Sequence, residues 1–318
     1  MSNAITKNSR IYVAGHRGMF GFALLRRLNA GGYWNLILRT RRELDLLDQR
    51  QVRGFMQAEK PDYIFLAAAK VGGIQANNQF RAEFIHQNIV IQTNVIHEAY
   101  LASVENLVFL GSSCIYPRNA TQPMTEDCLL TGPLEPTNEP YAVAKIAGIK
   151  LCEAYNHQYG TRYLSVMPTN LYGPNDNYDL NSSHVLPALL RKAHEGKLTA
   201  APTMTVWGSG KPMREFLHVD DAADACVFMM EQGVSDGLFN LGTGTEVSIR
   251  ELAETIKSIV GFKGGLVFDS TKPDGMLRKL LDVSRMSDLG WRAKISLRDG
   301  IAQTYEGYLK NLDHAVAE

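Results

Sequence analysis

Arg10-Ile11-Tyr12-Val13-Ala14-Gly15-His16-Arg17-Gly18-Met19-Phe20-Gly21 is the stretch on which the fold turns. Ile11 to Ala14 form an apolar run of strand length, and Leu24, Leu25 and Leu28 recur after the glycines at helical spacing. The order is strand, glycine turn, helix. Such a turn lets backbone approach a pyrophosphate, while the helix N-terminus presents free amides and the positive end of its dipole. Glycines at this spacing also suit a plain tight turn closing a helix against a strand, so the flanking pattern has to decide.

That pattern repeats along the chain. A second strand is predicted at Asn35 to Arg39, a helix around Gln49 to Glu59 and a third strand at Tyr63 to Ala67. A long helix from about Glu83 to Ser103 then precedes a strand at Leu107 to Leu110. The alternation predicts an α/β chain with a Rossmann-like, doubly wound parallel sheet, covered on both faces and binding ligands beyond the strand C-termini. Gly15, Ala67 to Ala69 and Gly111 to Ser113 should line that edge. After the second strand, where an acidic residue would grip an adenosine ribose, stand Arg39-Thr40-Arg41-Arg42, with Glu43 and Asp45 only further on. Arginine neutralises a ribose 2′-phosphate that a carboxylate would repel, so NADPH is favoured over NADH. The blander reading is a solvated basic turn.

Composition narrows the field. With 318 residues and 45% hydrophobic content the chain supports one large domain or two unequal ones. Thirty-three Lys plus Arg balance thirty-three Asp plus Glu, which argues against a nucleic-acid partner and makes any anion site local. Four cysteines, Cys114, Cys128, Cys152 and Cys226, show no metal-ligand spacing, and Met1 to Arg10 has no signal-peptide core. No apolar run approaches the roughly 20 residues of a membrane span. The expectation is a cytoplasmic protein with free thiols, no metal and no membrane.

A second constellation begins at Ser112-Ser113-Cys114, just past the strand at Leu107 to Leu110, and continues at Tyr141-Ala142-Val143-Ala144-Lys145. If Tyr141 starts a helix, i,i+4 spacing puts its hydroxyl and the Lys145 ammonium on one face. The ammonium would lower the cost of a tyrosinate, and Ser112 or Ser113 would orient a reacting oxygen. Tyr-x-x-x-Lys alone is common on helices; joined to the glycine loop and the strand-end serine it becomes specific. Further along, Val185 to His194 reads as helix, Thr205 to Trp207 as strand, and Asp220 as the cap of a helix through Met230.

These residues make the chain resemble the extended short-chain dehydrogenase/reductase family, whose members include nucleotide-sugar epimerases, dehydratases and reductases. The likeness tightens through Ala67-Ala68-Ala69-Lys70-Val71-Gly72-Gly73-Ile74, Gly111-Ser112-Ser113-Cys114-Ile115-Tyr116-Pro117 and Pro168-Thr169-Asn170-Leu171-Tyr172-Gly173-Pro174. It continues in Trp207-Gly208-Ser209-Gly210, Pro212-Met213-Arg214-Glu215-Phe216-Leu217-His218-Val219-Asp220-Asp221 and Lys272-Pro273-Asp274-Gly275. Leu277, where related sequences often have proline, is a small departure that leaves Arg278 and Lys279 in place.

The resemblance implies a bifunctional 3,5-epimerase and NADPH-dependent 4-reductase that converts GDP-4-keto-6-deoxy-D-mannose to GDP-L-fucose. A related 5-epimerase/4-reductase of a 3,6-dideoxy ketosugar is the nearest rival, and a non-catalytic nucleotide sensor a more distant one. By resemblance, Ser112, Tyr141 and Lys145 take the reductase positions, and Cys114 and His184 the epimerase base and acid positions. NADPH would rest on Gly15, His16, Arg17, Gly18, Met19, Phe20 and Gly21, on Arg39 and Arg41, and on Ala68. Leu110, Gly111, Ser112, Ser113, Lys145, Pro168, Thr169, Asn170, Leu171 and His184 would complete its site. Lys192, Trp207, Arg214 and Asp274 would meet the GDP-sugar. The implied division is a dinucleotide domain over residues 1–174 and a smaller α/β substrate domain over 175–318, with segments around 208–240 crossing back. A homodimer through the helices at Glu83 to Ser103 and Tyr141 to Gln158 is also implied.

Overall fold

The computed structural model describes residues 4–272 and 274–317; Met1 and Pro273, both quoted above, lie outside the described residues. Elements follow in the order β1 (Ile11–Ala14), α1 (Met19–Ala30), β2 (Leu36–Ile37), α2 (Gln49–Glu59), β3 (Tyr63–Leu66), α3 (Ile74–Gln79), α4 (Arg81–Leu101) and β4 (Asn106–Leu110). Next come α5 (Glu139–Tyr159), β5 (Arg162–Pro168), β6 (Asn170–Tyr172), α6 (Val185–Leu198), β7 (Thr203–Trp207), β8 (Met213–Arg214), β9 (Phe216–His218) and α7 (Val219–Glu231). β10 (Gly237–Leu241), β11 (Val247–Ser248), α8 (Ile249–Val260), β12 (Gly265–Asp269), β13 (Arg278–Lys279), α9 (Ser284–Asp288) and α10 (Leu297–Ala317) close the order.

β1 is apolar and buried at every position, as a strand covered on both faces requires. Its residues alternate between two cores. Ile11 and Val13 join Phe20, Leu24 and Leu28 of α1 and Ala222, Ala225 and Met229 of α7, whereas Tyr12 and Ala14 join Val52 and Met56 of α2 and Val95, Ile96 and Ala99 of α4. Complete burial of one such side chain, Leu24, contributes about 1.5–3 kcal/mol. Six strands pair in the order β10-β5-β4-β3-β1-β2, every neighbour parallel. With β2 on one side of β1 and β3 on the other, successive connections diverge and a crevice opens at the C-terminal ends of β1 and β3.

A third core unites Leu186, Leu189 and Leu190 of α6, Val206 of β7, Leu252 and Ile256 of α8, and Ile301 of α10. Ser248 and Glu251 fix the start of α8 by reciprocal hydrogen bonds between side chain and backbone. Around this core β6 pairs with β9, β7 with β12, and β8 lies between β11 and β13.

Several local expectations change. The second strand shrinks to Leu36–Ile37, the two residues that pair with β1, and beyond it Arg39 pairs with Glu59 of α2. α5 begins at Glu139 rather than Tyr141, with Pro140 in its first turn, where a missing N–H leaves no helical bond unmade. α6 continues past His194 to Leu198. Asp220 does not cap α7: His218 does, its Nδ1 accepting from the Asp220 amide at 3.3 Å, while the Asp220 carboxylate accepts from Arg26 of α1. A histidine cap was not legible because a neutral imidazole is an uncommon acceptor there.

Candidate active site

The crevice beyond β1 is shaped by glycines that admit no side chain. Gly15 has φ of +84°, and a Cβ there would lie 2.8 Å from the Ala68 amide nitrogen. A Cβ on Gly21 would meet the Gly15 carbonyl oxygen at 2.2 Å, so α1 sits directly on the turn. Gly18 occupies the N-cap of α1 without a side-chain cap, leaving first-turn amides to bind an anion. His16 Nδ1 is buried and without a hydrogen-bond partner among the described residues. At the end of β4, a Cβ on Gly111 would fall 2.0 Å from Met167 Cε. Open backbone, free helix amides and an orphaned imidazole nitrogen together fit the pyrophosphate of a dinucleotide.

The two arginines expected at the ribose differ in availability. Arg39 is occupied by Glu59 and by the Leu38 carbonyl, and lies over the Phe55 ring, whereas the Arg41 side chain is 74% exposed and 3.9 Å from Asp45. Glu43 is turned back on its own loop, accepting from Thr40 N at 2.7 Å and Thr40 Oγ1 at 2.8 Å. The carboxylate nearest the basic run is therefore engaged locally.

Ser112 stands between β4 and a 3-10 turn at Ser113–Ile115, and its Oγ accepts from the Cys114 amide at 3.4 Å. Cys114 is 7% exposed. Burial pushes its pKa up, while Lys279, the Ser112 hydroxyl and Lys145 pull it back. From the other side α5 presents Tyr141 and Lys145. Gly148 brings α5 close to the sheet, since a Cβ there would meet Phe109 at 2.4 Å, and Gln92 of α4 donates to the Ala144 carbonyl. Lys145 Nζ donates to the Leu110 carbonyl at 2.7 Å and lies 5.7 Å from the Tyr141 ring centroid. Burial lowers the Lys145 pKa to about 8.

Burial also drives the Tyr141 hydroxyl well above its usual value, with Cys114 adding in the same direction. Desolvation therefore dominates at this hydroxyl and favours its protonated form. His184 is the N-cap residue of α6. It keeps water-accessible surface, yet the walls of the cleft crowd it closely enough that desolvation, with Lys279 assisting, lowers its pKa. Its loop is held by Gly73, which donates to the Ser182 carbonyl at 2.9 Å and whose Cβ would collide with the Ser183 carbonyl oxygen at 2.7 Å.

On the far wall, Trp207 is 46% exposed, with Lys192 and Lys272 each 5.1 Å from its ring. Lys192 also donates to the Thr205 carbonyl. Asp274 is already engaged, accepting from Ser209 N and Ser209 Oγ at 2.7 Å each, so it fastens the loop beside Gly208. Arg214 donates to the Met213 carbonyl at 2.8 Å and approaches the Asp274 carbonyl at 3.4 Å. Gly275 lies against both Arg214 and Ile74, so the 70–74 and 274–275 loops meet.

Two residues here escaped the sequence reading. Glu215 is fully buried and accepts from the amides of Thr243, Gly244 and Leu281 at 2.7, 2.8 and 3.1 Å. Lys279 is half-buried while its exposed neighbour Arg278 pairs with Glu246. The only sequence signal for Lys279 was the alternation of a strand too short to recognise.

The model of the NAD dependent epimerase/dehydratase family matches residues 11–242. The chain belongs to that family. GDP-L-fucose synthase of Escherichia coli (strain K12) is 57% identical over 96% of this chain and 98% of its own length. GDP-L-fucose synthase 1 of Arabidopsis thaliana is 57% identical over 98% of this chain and 97% of its own. The crystal structure of a GDP-L-fucose synthetase from Naegleria fowleri bound to NADP superposes with a TM-score of 0.89 at 29% identity, covering 98% and 97% of the two chains. The expected family and Rossmann-like fold are both borne out.

Proposed function

We propose that this family member converts GDP-4-keto-6-deoxy-D-mannose to GDP-L-fucose, inverting carbons 3 and 5 and then reducing carbon 4 at the expense of NADPH. The observation that carries the reading is one cleft holding a Ser112, Tyr141 and Lys145 set together with a buried thiol, Cys114, and His184, a combination that needs both a carbonyl to reduce and acidic C–H bonds to invert. The high identity to GDP-L-fucose synthases over nearly the full chain supports it.

The carbon-4 ketone acidifies the hydrogens on both neighbouring carbons. Cys114, as thiolate, removes a proton from one face and His184, as imidazolium, returns one to the other. Ser112 holds the ketone oxygen, where negative charge develops. Bound NADPH supplies hydride to carbon 4. Tyr141 gives its proton to that oxygen, and the Lys145 ammonium offsets the charge left on the phenolate. Gly15 to Gly21, Arg41 and Gly111 to Ser113 are the residues fitted to hold NADPH. Lys192 and Arg214 are placed to neutralise diphosphate and Trp207 to cover a ring. Asp274 acts chiefly by fixing its loop.

The dinucleotide side of the cleft is assigned to residues 1–174 and the GDP-sugar side mainly to 175–318, with β9, α7 and β10 returning to the large sheet. We assign the working form to a homodimer in the reducing cytosol. Its contact would be the α4 and α5 face, where Leu101, Val143 and Tyr159 are exposed, and four free thiols suit that compartment. No helix among the described residues is long and apolar enough to cross a membrane.

The deciding experiment is incubation with GDP-4-keto-6-deoxy-D-mannose and NADPH in deuterated water. GDP-L-fucose labelled at carbons 3 and 5, with one NADPH consumed per product, is expected. Reduction without label at carbon 3 would instead favour the 5-epimerase reading, and no turnover by folded protein would reject both. A pH series adds a second expectation. Lys145 is charged below about 8 and neutral above, so single-turnover reduction should slow as pH rises through that value. A rate flat across the range would remove Lys145 from proton transfer.

A further inference from the structure

We infer that Lys272 is a further binding residue for the nucleoside diphosphate: its ammonium joins that of Lys192 beside Trp207, and the two hold one diphosphate between them. The inference deepens the proposed function and rests on it for the sugar, while the diphosphate is tested with GDP itself.

The strand pattern comes first. β7 alternates, so Met204 and Val206 enter the third core and Thr205 and Trp207 stay on the open side. Lys192 arrives from α6 and donates to the Thr205 carbonyl at 3.2 Å. Lys272 arrives from the turn after β12. Asp269, the last residue of β12, lies in register with Trp207, and its carbonyl accepts from Gly208 N at 2.9 Å and from Lys272 N at 3.2 Å. One carbonyl therefore ties the residue after the indole to the residue that bears the second ammonium. Further along the same loop, Asp274 is fastened to Ser209 N and Oγ. Each ammonium nitrogen lies 5.1 Å from the Trp207 ring centroid, so the two are no more than twice that distance apart.

The charges around this loop say what the pair is for. Lys272 is exposed, and among the described residues its side-chain nitrogen makes no hydrogen bond or ion pair. The carboxylates of its loop are engaged locally: Asp269 accepts from Thr271 N at 3.1 Å and Thr271 Oγ1 at 2.6 Å, and Asp274 accepts from Ser209. Asp269 feels the lysine's charge without pairing with it. At the far end of the loop Arg214 approaches the Asp274 carbonyl at 3.4 Å. Three cations thus gather along one loop of a chain whose formal charge is zero, and such a local excess favours an anion. Guanine offers an ammonium only neutral acceptors, whereas a diphosphate offers full charge. Lysine acts on phosphate as a compact point charge, and a diphosphate that reaches about 2.8 Å to each nitrogen can span the pair. The role is one of affinity, with the indole left to cover a neighbouring ring.

The test compares wild type with Lys272→Met and Lys272→Arg by calorimetric titration with GDP. At low ionic strength the Kd should rise about tenfold in Lys272→Met, as for one lost charge-assisted contact, and stay within about threefold of wild type in Lys272→Arg. The difference between wild type and Lys272→Met should shrink at about 0.5 M salt, where exposed charges are screened. In turnover the loss should fall on KM for the GDP-ketosugar, again about tenfold, rather than on kcat. NADPH affinity serves as the folding check. An unchanged GDP Kd in folded Lys272→Met would overturn the inference. So would a rise that arginine does not reverse and salt does not shrink, because only the packing of the loop would then have changed. Weaker NADPH binding with GDP binding intact would overturn it too, by assigning the lysine to the cofactor's pyrophosphate. GDP binding that responds as expected, without turnover of the ketosugar, would overturn the proposed reaction and leave the diphosphate site standing; absence of GDP binding in wild type would overturn both.

Discussion

Tyr141→Phe is expected to lower the reduction rate about 10²- to 10⁴-fold, the range spanned by a positioned general acid, while deuterium continues to enter carbons 3 and 5. In the proposed reaction the hydroxyl supplies the proton, and burial favours its protonated form. The ring itself packs edge-on against Phe84 with centroids 6.2 Å apart, a contact that phenylalanine preserves, so the effect should not be one of folding. Lys145 keeps its bond to the Leu110 carbonyl. NADPH oxidation in a single turnover, paired with NMR of the sugar, separates the two halves of the reaction. Equal loss of reduction and exchange would show that Tyr141 serves both, and undiminished reduction would remove it from the chemistry.

Cys114→Ser should give the complementary result. Serine fits the space of the thiol, but its hydroxyl is far too weak an acid to provide an anion in this cleft. Wash-in of deuterium should drop at least about 100-fold while NADPH affinity is retained, since the lost group is a general base rather than part of the glycine cradle. Wash-in at the wild-type rate would transfer the base role to another residue. Together the two variants predict that the ketosugar isomers accumulate in one case and that inversion stops in the other.

What could be read from the sequence was what is local. β1, the Gly15 turn and α1 are contiguous, and Tyr141 and Lys145 share a helical face by spacing alone. Ser112 and Cys114 follow a strand end. The rest depends on partners far along the chain. Nothing near Arg39 announces that Glu59 will occupy it, and nothing near Asp274 announces Ser209. Arg278 and Lys279 are adjacent cations, yet one is exposed and pairs with Glu246 while the other is half-buried, because a two-residue strand alternates its side chains while offering too little pattern to detect. Spacing shows that Tyr141 has a neighbouring ammonium, but not how far burial raises its hydroxyl.

The Glu215 carboxylate has a bearing on biosynthesis at the ribosome. Its backbone partners lie 28, 29 and 66 residues downstream, at Thr243, Gly244 and Leu281. The nucleotide side, from Gly15 to Ser113, has its chain earlier, and α7 then closes the core beneath β1 and α1. As the polypeptide emerges, the dinucleotide crevice can take shape while the ketosugar wall still lacks the strand that carries Lys279. Glu215 gains its full set of amide partners only once Leu281 has left the exit tunnel.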